Sequence, residues 1–414
     1  MIDFTFIQAP NQLLHPVMYP YSLGLLYLAA MLEEKGAKVA CVDLRDWSRI
    51  DRTAASFIPH ARYYGITATT PEMPYAQKIA ALLRRRLHSQ VIIGGVHATL
   101  QPEECLEHFD IVARGEWEYA ICQLLEKGHP NGIINAATAP DLDTLPFPAR
   151  RLVGQRAWSY SLMPGEFHGQ GEEGAAMLIS SRGCPYHCAF CSSARTLPVR
   201  FRSPENVVEE VVELKERYKV RAFRDESDNL ILNRQWLLKL CQLLKPLDVT
   251  WKGHGRSAQV TDEVCEALKE AGLVEFGLGI ESADPEVLKL ARKGETVEEH
   301  HRAIALLKKH GVISKIYLMA GLPGESDETV KLNMAFMRQA QPDKWTLSKF
   351  TPLPGSEIWQ HPERFGARIS ADNSEGRWFF FGGFSIEYEH SSTRVLEARY
   401  KQLLDFLKGD SWRQ

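Results

Sequence analysis

The chain has 414 residues, which at roughly 150 per domain predicts two to three domains. Its apolar fraction is 44% and its charged fraction 24%, near the globular average, so packed cores are expected. A formal charge of −3, from 49 basic and 52 acidic residues, excludes the strongly basic footprint of a nucleic-acid binder. No uncharged apolar run of about 18 residues is present, so no membrane span is expected. The opening MIDFTFIQAP carries Asp3 and no basic region, so the expectation is no secretory leader and a reducing, cytoplasmic setting. There, the 8 cysteines read as thiols or metal ligands rather than disulfides.

The first 140 residues or so alternate strand and helix. Strands are predicted at 2–7, 37–43, 63–66, 91–93 and 111–113, and helices at 23–35, 75–88 and 118–127. This is the pattern of a doubly wound parallel sheet, whose ligand lies beyond the strand C-termini. It carries no G-x-G-x-x-G and no P-loop, so ordinary nucleotide readings are weak. Residues 137–156 are rich in proline and acid and read as an ordered linker, and 165–174 as a polar, glycine-rich loop.

A second alternation follows. Strands are predicted at 175–180, 221–224, 250–256, 274–280, 314–319 and 344–350. Helices are predicted at 205–218, 235–244, 262–271, 297–310 and 327–339, with Gly272 and Gly311 as stops. Such a series predicts parallel strands with right-handed crossovers, and chemistry collected at their C-terminal ends. Polar residues stand there: Asp225, Glu226, Arg256, Glu281 and Glu325. Arg292 and Lys293 read as surface cations. In the tail, the aromatic run at 377–381 reads as a strand closing the core or as a channel lining, and 394–407 as a last amphipathic helix.

Five cysteines are scattered and read as small buried hydrophobes. The other three form Cys184-Pro-Tyr-His-Cys188-Ala-Phe-Cys191. Three thiolates in a short loop can hold a metal or an iron–sulfur cluster. A structural zinc would want a fourth ligand; His187 is crowded inside the loop, and no second knuckle follows. A four-iron cluster on three thiolates leaves one iron open, as catalysis requires.

The run Ser181-Arg-Gly-Cys184-x-x-x-Cys188-x-Phe-Cys191 resembles the cluster loop of the radical S-adenosylmethionine (SAM) superfamily. The resemblance implies a partial (β/α)6 TIM-type barrel, a 4Fe-4S cluster on Cys184, Cys188 and Cys191, and SAM chelated by the open iron. It implies Phe190 near the adenine, and Asp225, Glu226 and Ser227 in place of the acidic segment that takes SAM's amino group. Gly279-Ile-Glu281-Ser282 matches a ribose-contacting segment. Gly321-Leu-Pro-Gly324-Glu325 matches a motif beside adenine and carboxylate. Arg256 would pair with SAM's carboxylate or a nearby acid. The plainer alternatives are a solvated turn and cap for Asp225, Glu226 and Asp228, and a helix-start charge for Glu281.

The front part is similar to the Rossmann-like cobalamin-binding domain that precedes many such barrels. The matching pieces contain Leu23 and Gly24, then Thr67 and Thr69, then Gly94, Gly95, His97 and Thr99, then Gly115 and Glu116. Strand-end glycines let backbone approach a flat macrocycle, and the threonines can bond its amides. The alternative is ordinary loop chemistry. After the second strand, Asp43-Leu-Arg45-Asp46-Trp47-Ser48 offers no cobalt-ligating histidine. Arg45 reads either as a cation beneath the corrin or as an exposed arginine.

The resemblance implies an α/β chain: cobalamin domain 1–137, linker 138–174, barrel 175–355 and C-terminal extension 356–414. It implies a methyltransferase acting on an unactivated carbon of a small molecule, through a 5′-deoxyadenosyl radical and methylcobalamin. Its partners would be a small-molecule substrate and an external electron donor of flavodoxin or ferredoxin type. The alternatives are cyclisation, rearrangement or other hydrogen abstraction, with a front domain that no longer binds cobalamin, or a non-catalytic cobalamin or iron carrier.

Overall fold

The structure, a computed structural model, describes residues 2–11, 19–47, 49–86, 89–160, 174–192, 198–370, 382–409 and 412. Most of the 165–174 loop and the 377–381 aromatic run lie outside the described residues. The chain divides into two compact units, Met1–Leu178 with Glu213–Val220, and Ile179–Val212 with Arg221–Gln414. No described helix is long and apolar enough to cross a membrane.

The first unit is built on a parallel sheet of β1 (Ile2–Gln8), β2 (Val39–Asp43), β3 (Ala61–Thr67), β4 (Gln90–Gly94), β5 (Ile111–Arg114) and β6 (Gly132–Asn135). Their order is β2-β1-β3-β4-β5-β6. β1 is central because both of its faces are apolar: Phe4, Phe6 and Ile7 are all buried. The helix Leu23–Glu34 is apolar almost all round and buries Leu25, Leu26, Ala29 and Leu32. The sequence misses β6, four residues too short for a pattern, and the one-turn helices Arg52–Ser56, Val96–Leu100 and Pro102–Leu106. The helix expected at 75–88 runs Met73–Leu83, entered through Pro74, whose fixed φ suits the first turn. Beyond β6, the strand β7 (Ser159–Tyr160) pairs antiparallel with β8 (Ala175–Leu178).

In the second unit, a short antiparallel pair, β9 (Ser181–Arg182) and β10 (Arg200–Phe201), precedes the parallel series. That series is β11 (Ala222–Asp225), β12 (Thr250–Gly255), β13 (Leu273–Glu281), β14 (Ile313–Ala320) and β15 (Lys344–Lys349), each pairing with the next. Sequential parallel strands with a helix after each is the (β/α) barrel pattern. The intervening helices begin where their caps stand: Asn233, Thr261, Thr296 and Ser326 each accept a backbone N–H of the first turn. Along β13, Phe276, Leu278 and Ile280 are fully buried, whereas Glu275, Gly277 and Gly279 take the other face. A hairpin of β16 (Ala367–Ile369) and β17 (Ile386–Tyr388), then the helix Thr393–Lys408, completes the unit.

Gly272 is the tightest point of this frame. It sits at φ +86°, and a Cβ there would stand 2.0 Å from the Val249 carbonyl oxygen. Gly272→Ala is therefore expected to destabilise the chain by roughly 2–4 kcal/mol, left-handed strain plus a backbone clash. The urea midpoint of the variant checks it; an unchanged midpoint would show that the turn relaxes.

Candidate functional site

The cysteine loop leaves β9 and is pinned from three sides. Gly183 N–H donates to Asp228 Oδ2 at 3.0 Å. Ala189 N–H donates to the Ala291 carbonyl at 2.8 Å, and Ile358 N–H to the Ala189 carbonyl at 3.1 Å. The loop turns on itself where Cys191 N–H reaches the Cys188 carbonyl at 3.1 Å. Cys188 is buried, and Cys184 and Cys191 are half-buried. Burial raises the Cys184 thiol above its ordinary value. Among the described residues, no three His, Cys, Asp or Glu side chains gather as ligands of a single metal ion. A four-iron cluster makes a different demand, because each thiolate takes a different iron.

Arg256, just past β12, stands over the Tyr186 ring at 3.8 Å and points a guanidinium N–H at Cys188 Sγ, 3.5 Å away. Its other end donates to the Lys293 carbonyl and lies 3.4 Å from the Glu295 carboxylate. Glu295 also lies 3.4 Å from Lys293 Nζ, which lies 3.3 Å from Glu281. Lys293 is thus no surface cation: its side chain is 6% exposed and Glu295's 0%. Lys293 read as a surface cation in the sequence, and Glu295 carried no signal there. Arg292 is half exposed, as expected, and pairs with Glu357. Glu281 has a left-handed φ of 65°, at a register shift in β13. Burial raises its carboxyl and Lys293 opposes the rise.

The acids after β11 divide. Asp225 is buried, accepts from Ser227 N–H at 2.9 Å and Ser227 Oγ–H at 2.6 Å, and has its carboxyl raised by burial. Ser227 Oγ also accepts from the Ser181 N–H at 2.8 Å and the Ser180 N–H at 3.1 Å, so this hydroxyl ties β11 to β9. Glu226 is half-buried and pairs with Arg224 at 2.9 Å. Three buried atoms here, Asp225 Oδ2, Ser181 Oγ and Arg256 Nε, have no hydrogen-bond partner among the described residues. Orphaned groups of this kind are costly unless a polar ligand completes them.

Phe190 is half-buried within the loop. After β14, Gly321 N–H donates to Glu325 Oε2 at 2.6 Å and Tyr388 Oη–H donates to the Gly321 carbonyl at 2.7 Å. Gly324 completes the turn at φ +84°. Burial lifts the Glu325 carboxyl from 4.5 to about 7. The folded-state value lies above the unfolded one, so stability from this group is complete below 4.5 and is lost as pH rises through about 7. Glu325→Gln keeps an oxygen for Gly321 and never ionises. It is expected to be more stable than the wild type at about pH 8, by up to about 3 kcal/mol, and equal to it near pH 4. Equal urea midpoints at about pH 8 would refute this.

In the first unit the order β2-β1-β3 puts the topological switch between β1 and β3. Thr67, Gly94, Gly95, Thr99 and Gly115 gather beside it, at the C-terminal ends of β3, β4 and β5. Thr99 Oγ–H donates to the Gly95 carbonyl at 3.0 Å and accepts from Gly115 N–H at 3.2 Å. Gly95 has φ +94°, and a Cβ would meet Thr67 Oγ1 at 2.6 Å and the Ala68 carbonyl at 2.9 Å. Leu23 is buried and Gly24 exposed, at the start of the first helix. Glu116 accepts from Ala139 N–H at 3.0 Å.

Other expected residues serve the frame. Thr69 bonds buried Glu72 in a capping box. His97 is buried against Thr70 at 3.1 Å, and burial lowers its pKa. Arg45 is buried rather than exposed. It forks onto Asp43 at 2.9 and 2.7 Å, and it bonds the carbonyls of Ala157, at 2.9 Å, and Tyr19. It follows edge strand β2, on the far side of β1 from the switch. Asn11, which donates to Tyr19 Oη at 3.0 Å, and Glu72 near the switch carried no sequence signal.

The comparisons agree with this geometry. Residues 14–125 match the B12 binding domain family model, and residues 178–337 match that of the radical SAM superfamily. The chain is 30% identical over 358 residues to an uncharacterized methyltransferase of Pyrococcus horikoshii, covering 82% of this chain and 78% of the relative. It is 27% identical over 329 residues to the anaerobic magnesium-protoporphyrin IX monomethyl ester cyclase of Rubrivivax gelatinosus, covering 72% of this chain and 57% of that one. Its fold matches TsrM of Kitasatospora setae, a radical SAM methyltransferase solved with cobalamin and a 4Fe-4S cluster. The TM-score is 0.70 at 16% identity, over 90% of this chain and 82% of that one. It also matches the cobalamin-dependent radical enzyme OxsB, with TM-score 0.71 at 16% identity, over 94% of this chain and 64% of that one.

A parallel-stranded barrel unit with three cysteines in its first loop, and a doubly wound sheet ahead of it, define a class of radical enzyme. The chain belongs to the radical SAM superfamily, among the members that carry a B12 binding domain.

Proposed function

We propose that this enzyme transfers a methyl group to an unactivated carbon of a small-molecule substrate, using SAM, a 4Fe-4S cluster and cobalamin. The observation that carries the reading is the cysteine loop with Arg256 against Cys188 at 3.5 Å, amid buried polar atoms that lack partners. Cys184, Cys188 and Cys191 would each hold one iron. Bound to this chain, the cluster supplies the electron that splits SAM into methionine and a 5′-deoxyadenosyl radical, and cobalamin supplies the methyl group.

Asp225 and Glu226 would take SAM's amino group, with Ser227 holding Asp225 in place. Arg256 would meet SAM's carboxylate, oriented by Glu295. Glu281, Gly321, Gly324, Glu325 and Phe190 would line the ribose and adenine. Around the corrin, Thr67, Gly94, Gly95, Thr99 and Gly115 would form the cradle, with Leu23 and Gly24 at its rim. Arg45 would steady the loop bearing Tyr19. The reading carries with it a cytoplasmic setting and a flavodoxin- or ferredoxin-type donor for the cluster's electron.

The test is anaerobic reconstitution with iron, sulfide and hydroxocobalamin, followed by desalting. About one retained corrin per chain, with 5′-deoxyadenosine formed from SAM, is expected. No retained corrin beside intact SAM cleavage would overturn methyl transfer and leave hydrogen abstraction without it. Gly95→Ala, which forces a Cβ into Thr67 and Ala68, is expected to weaken corrin retention about tenfold. Iron content should not change, and unaltered retention would place the cradle elsewhere.

A further inference from the structure

We propose that Arg256 sets the reduction potential of the iron–sulfur cluster by donating a guanidinium N–H to the Cys188 sulfur, and that Glu295 moderates its charge. The inference rests on the enzymatic reading above and gives this chain's own residues a part in the electron step, before SAM is engaged.

The end of β12 aims the guanidinium. Arg256 leaves the strand with extended backbone, φ −101° and ψ 144°, and opens the short turn Ser257–Gln259. Its Nη1 stands 3.5 Å from Cys188 Sγ, within reach of a hydrogen bond to the large sulfur atom. Its Nη2 donates to the Lys293 carbonyl. The Tyr186 ring centroid lies 3.8 Å from the guanidinium carbon, so the cation rests on an aromatic face. Tyr186 stands between Cys184 and Cys188 in sequence, so the loop that would hold the irons also carries the shelf under the guanidinium. Gly294, at φ +66°, turns the chain between Lys293 and Glu295 so that both meet Arg256. Arg256 Nε has no partner among the described residues. The thiolate and a SAM carboxylate therefore need not compete for one N–H.

The order of charges gives the sign. From the sulfur outward the side chains run Arg256, Glu295, Lys293 and Glu281, separated by 3.4, 3.4 and 3.3 Å. The cationic end of this chain meets Cys188. All four residues are buried, as Cys188 is, so water and salt screen the contact little. Asp228 opposes Arg256 from elsewhere on the loop, where it accepts the Gly183 N–H at 3.0 Å. It meets the loop through backbone, whereas Arg256 touches a sulfur.

Reduction brings one electron from an external one-electron reductant, with no bond formed or broken and no proton taken. The added negative charge spreads onto the thiolate sulfurs, so a donor and cation at Cys188 favour the reduced form. Arg256 thus raises the potential and eases electron entry. Glu295 offsets part of that charge and lowers it.

The test is a mediated redox titration of the anaerobically reconstituted full-length protein without SAM, read by the EPR signal of the reduced cluster. Arg256→Gln should be about tenfold harder to reduce, the loss of one charged hydrogen bond, which moves the midpoint down by about 59 mV. Glu295→Gln should move it up, because the Lys293 carbonyl and the Tyr186 ring still hold the guanidinium and its charge is no longer offset. A merely structural role would move both variants in the same direction. Lys331→Gln, on an exposed helix position, should titrate as the wild type does. If Arg256→Gln fails to take up four irons, the Glu295→Gln shift decides alone. Unmoved midpoints, or shifts of the same sign, overturn the proposal. A wild-type protein that takes up its irons and cleaves SAM while neither variant shifts the midpoint refutes this inference alone. A wild type that takes up no cluster ends the enzymatic reading and this inference with it.

Discussion

Cys188→Ala is expected to lose its iron–sulfur absorbance and its SAM cleavage together. Cys188 is the buried member of the trio and the one that Arg256 touches, at 3.5 Å. Without its thiolate the two remaining cysteines could grip only two irons of a cubane. Losing an outer partner of a metal ligand typically costs 10- to 100-fold, so losing the ligand itself should cost more than about a hundredfold in 5′-deoxyadenosine formation. Cys241→Ala is the control: its thiol is buried in the helix Arg234–Leu244, and burial pushes it up to about 12. Reconstituted iron per chain and anaerobic turnover of SAM are the measurements. A Cys188→Ala protein that still cleaved SAM would end the cluster assignment.

The largest effect on stability is expected from Glu295→Ala. Glu295 has a fully buried side chain and lies 3.4 Å from both Arg256 and Lys293, which are 7% and 6% exposed. Its other oxygen accepts the Ala258 N–H at 2.8 Å. Removing it leaves two buried cations with Glu281 as their remaining carboxylate, bonded to Lys293 at 3.3 Å. Breaking a buried pair by deleting one partner costs about 3–5 kcal/mol, because an uncompensated charge stays behind. Glu295→Gln keeps the Ala258 bond and loses only the charge, so it should fall between. Urea midpoints of the cofactor-free chains check the order wild type, then glutamine, then alanine. If the alanine variant unfolds with the wild type, the network is not holding Arg256.

Much of this site was legible because its chemistry is local in sequence. Three cysteines within one loop keep their spacing whatever the rest of the chain does. Asp225, Arg256, Glu281 and Glu325 could be read as one candidate edge, because β/α alternation places successive strand C-termini together, and the structure puts all four at strand ends. The front domain was legible for the same reason. The glycine and threonine pieces after β3, β4 and β5 keep their order, and the sheet gathers them through Thr99 and Gly95.

What the sequence alone determined, then, was the periodic and the contiguous: alternating elements, helix caps and stops, and the cysteine loop. Only the tertiary structure decided which charges are buried. Lys293 looks like solvated surface in one dimension, and with Glu295 it becomes a buried ion-pair network because β13 and the loop beyond its following helix fold against Arg256. Ser227 read as a SAM contact, and only the structure shows that its hydroxyl also ties strands together, because β11 and the segment entering β9 meet there. Arg45 read either as a cation beneath the corrin or as an exposed arginine, and it is a buried clamp, because Asp43 and two distant carbonyls converge on it. Lys315 and Lys344, 29 residues apart along the chain as Ser314 and Asp343 are, come side by side solely through strand register. Burial and charge pairing depend on residues far apart in sequence, and no local pattern encodes them.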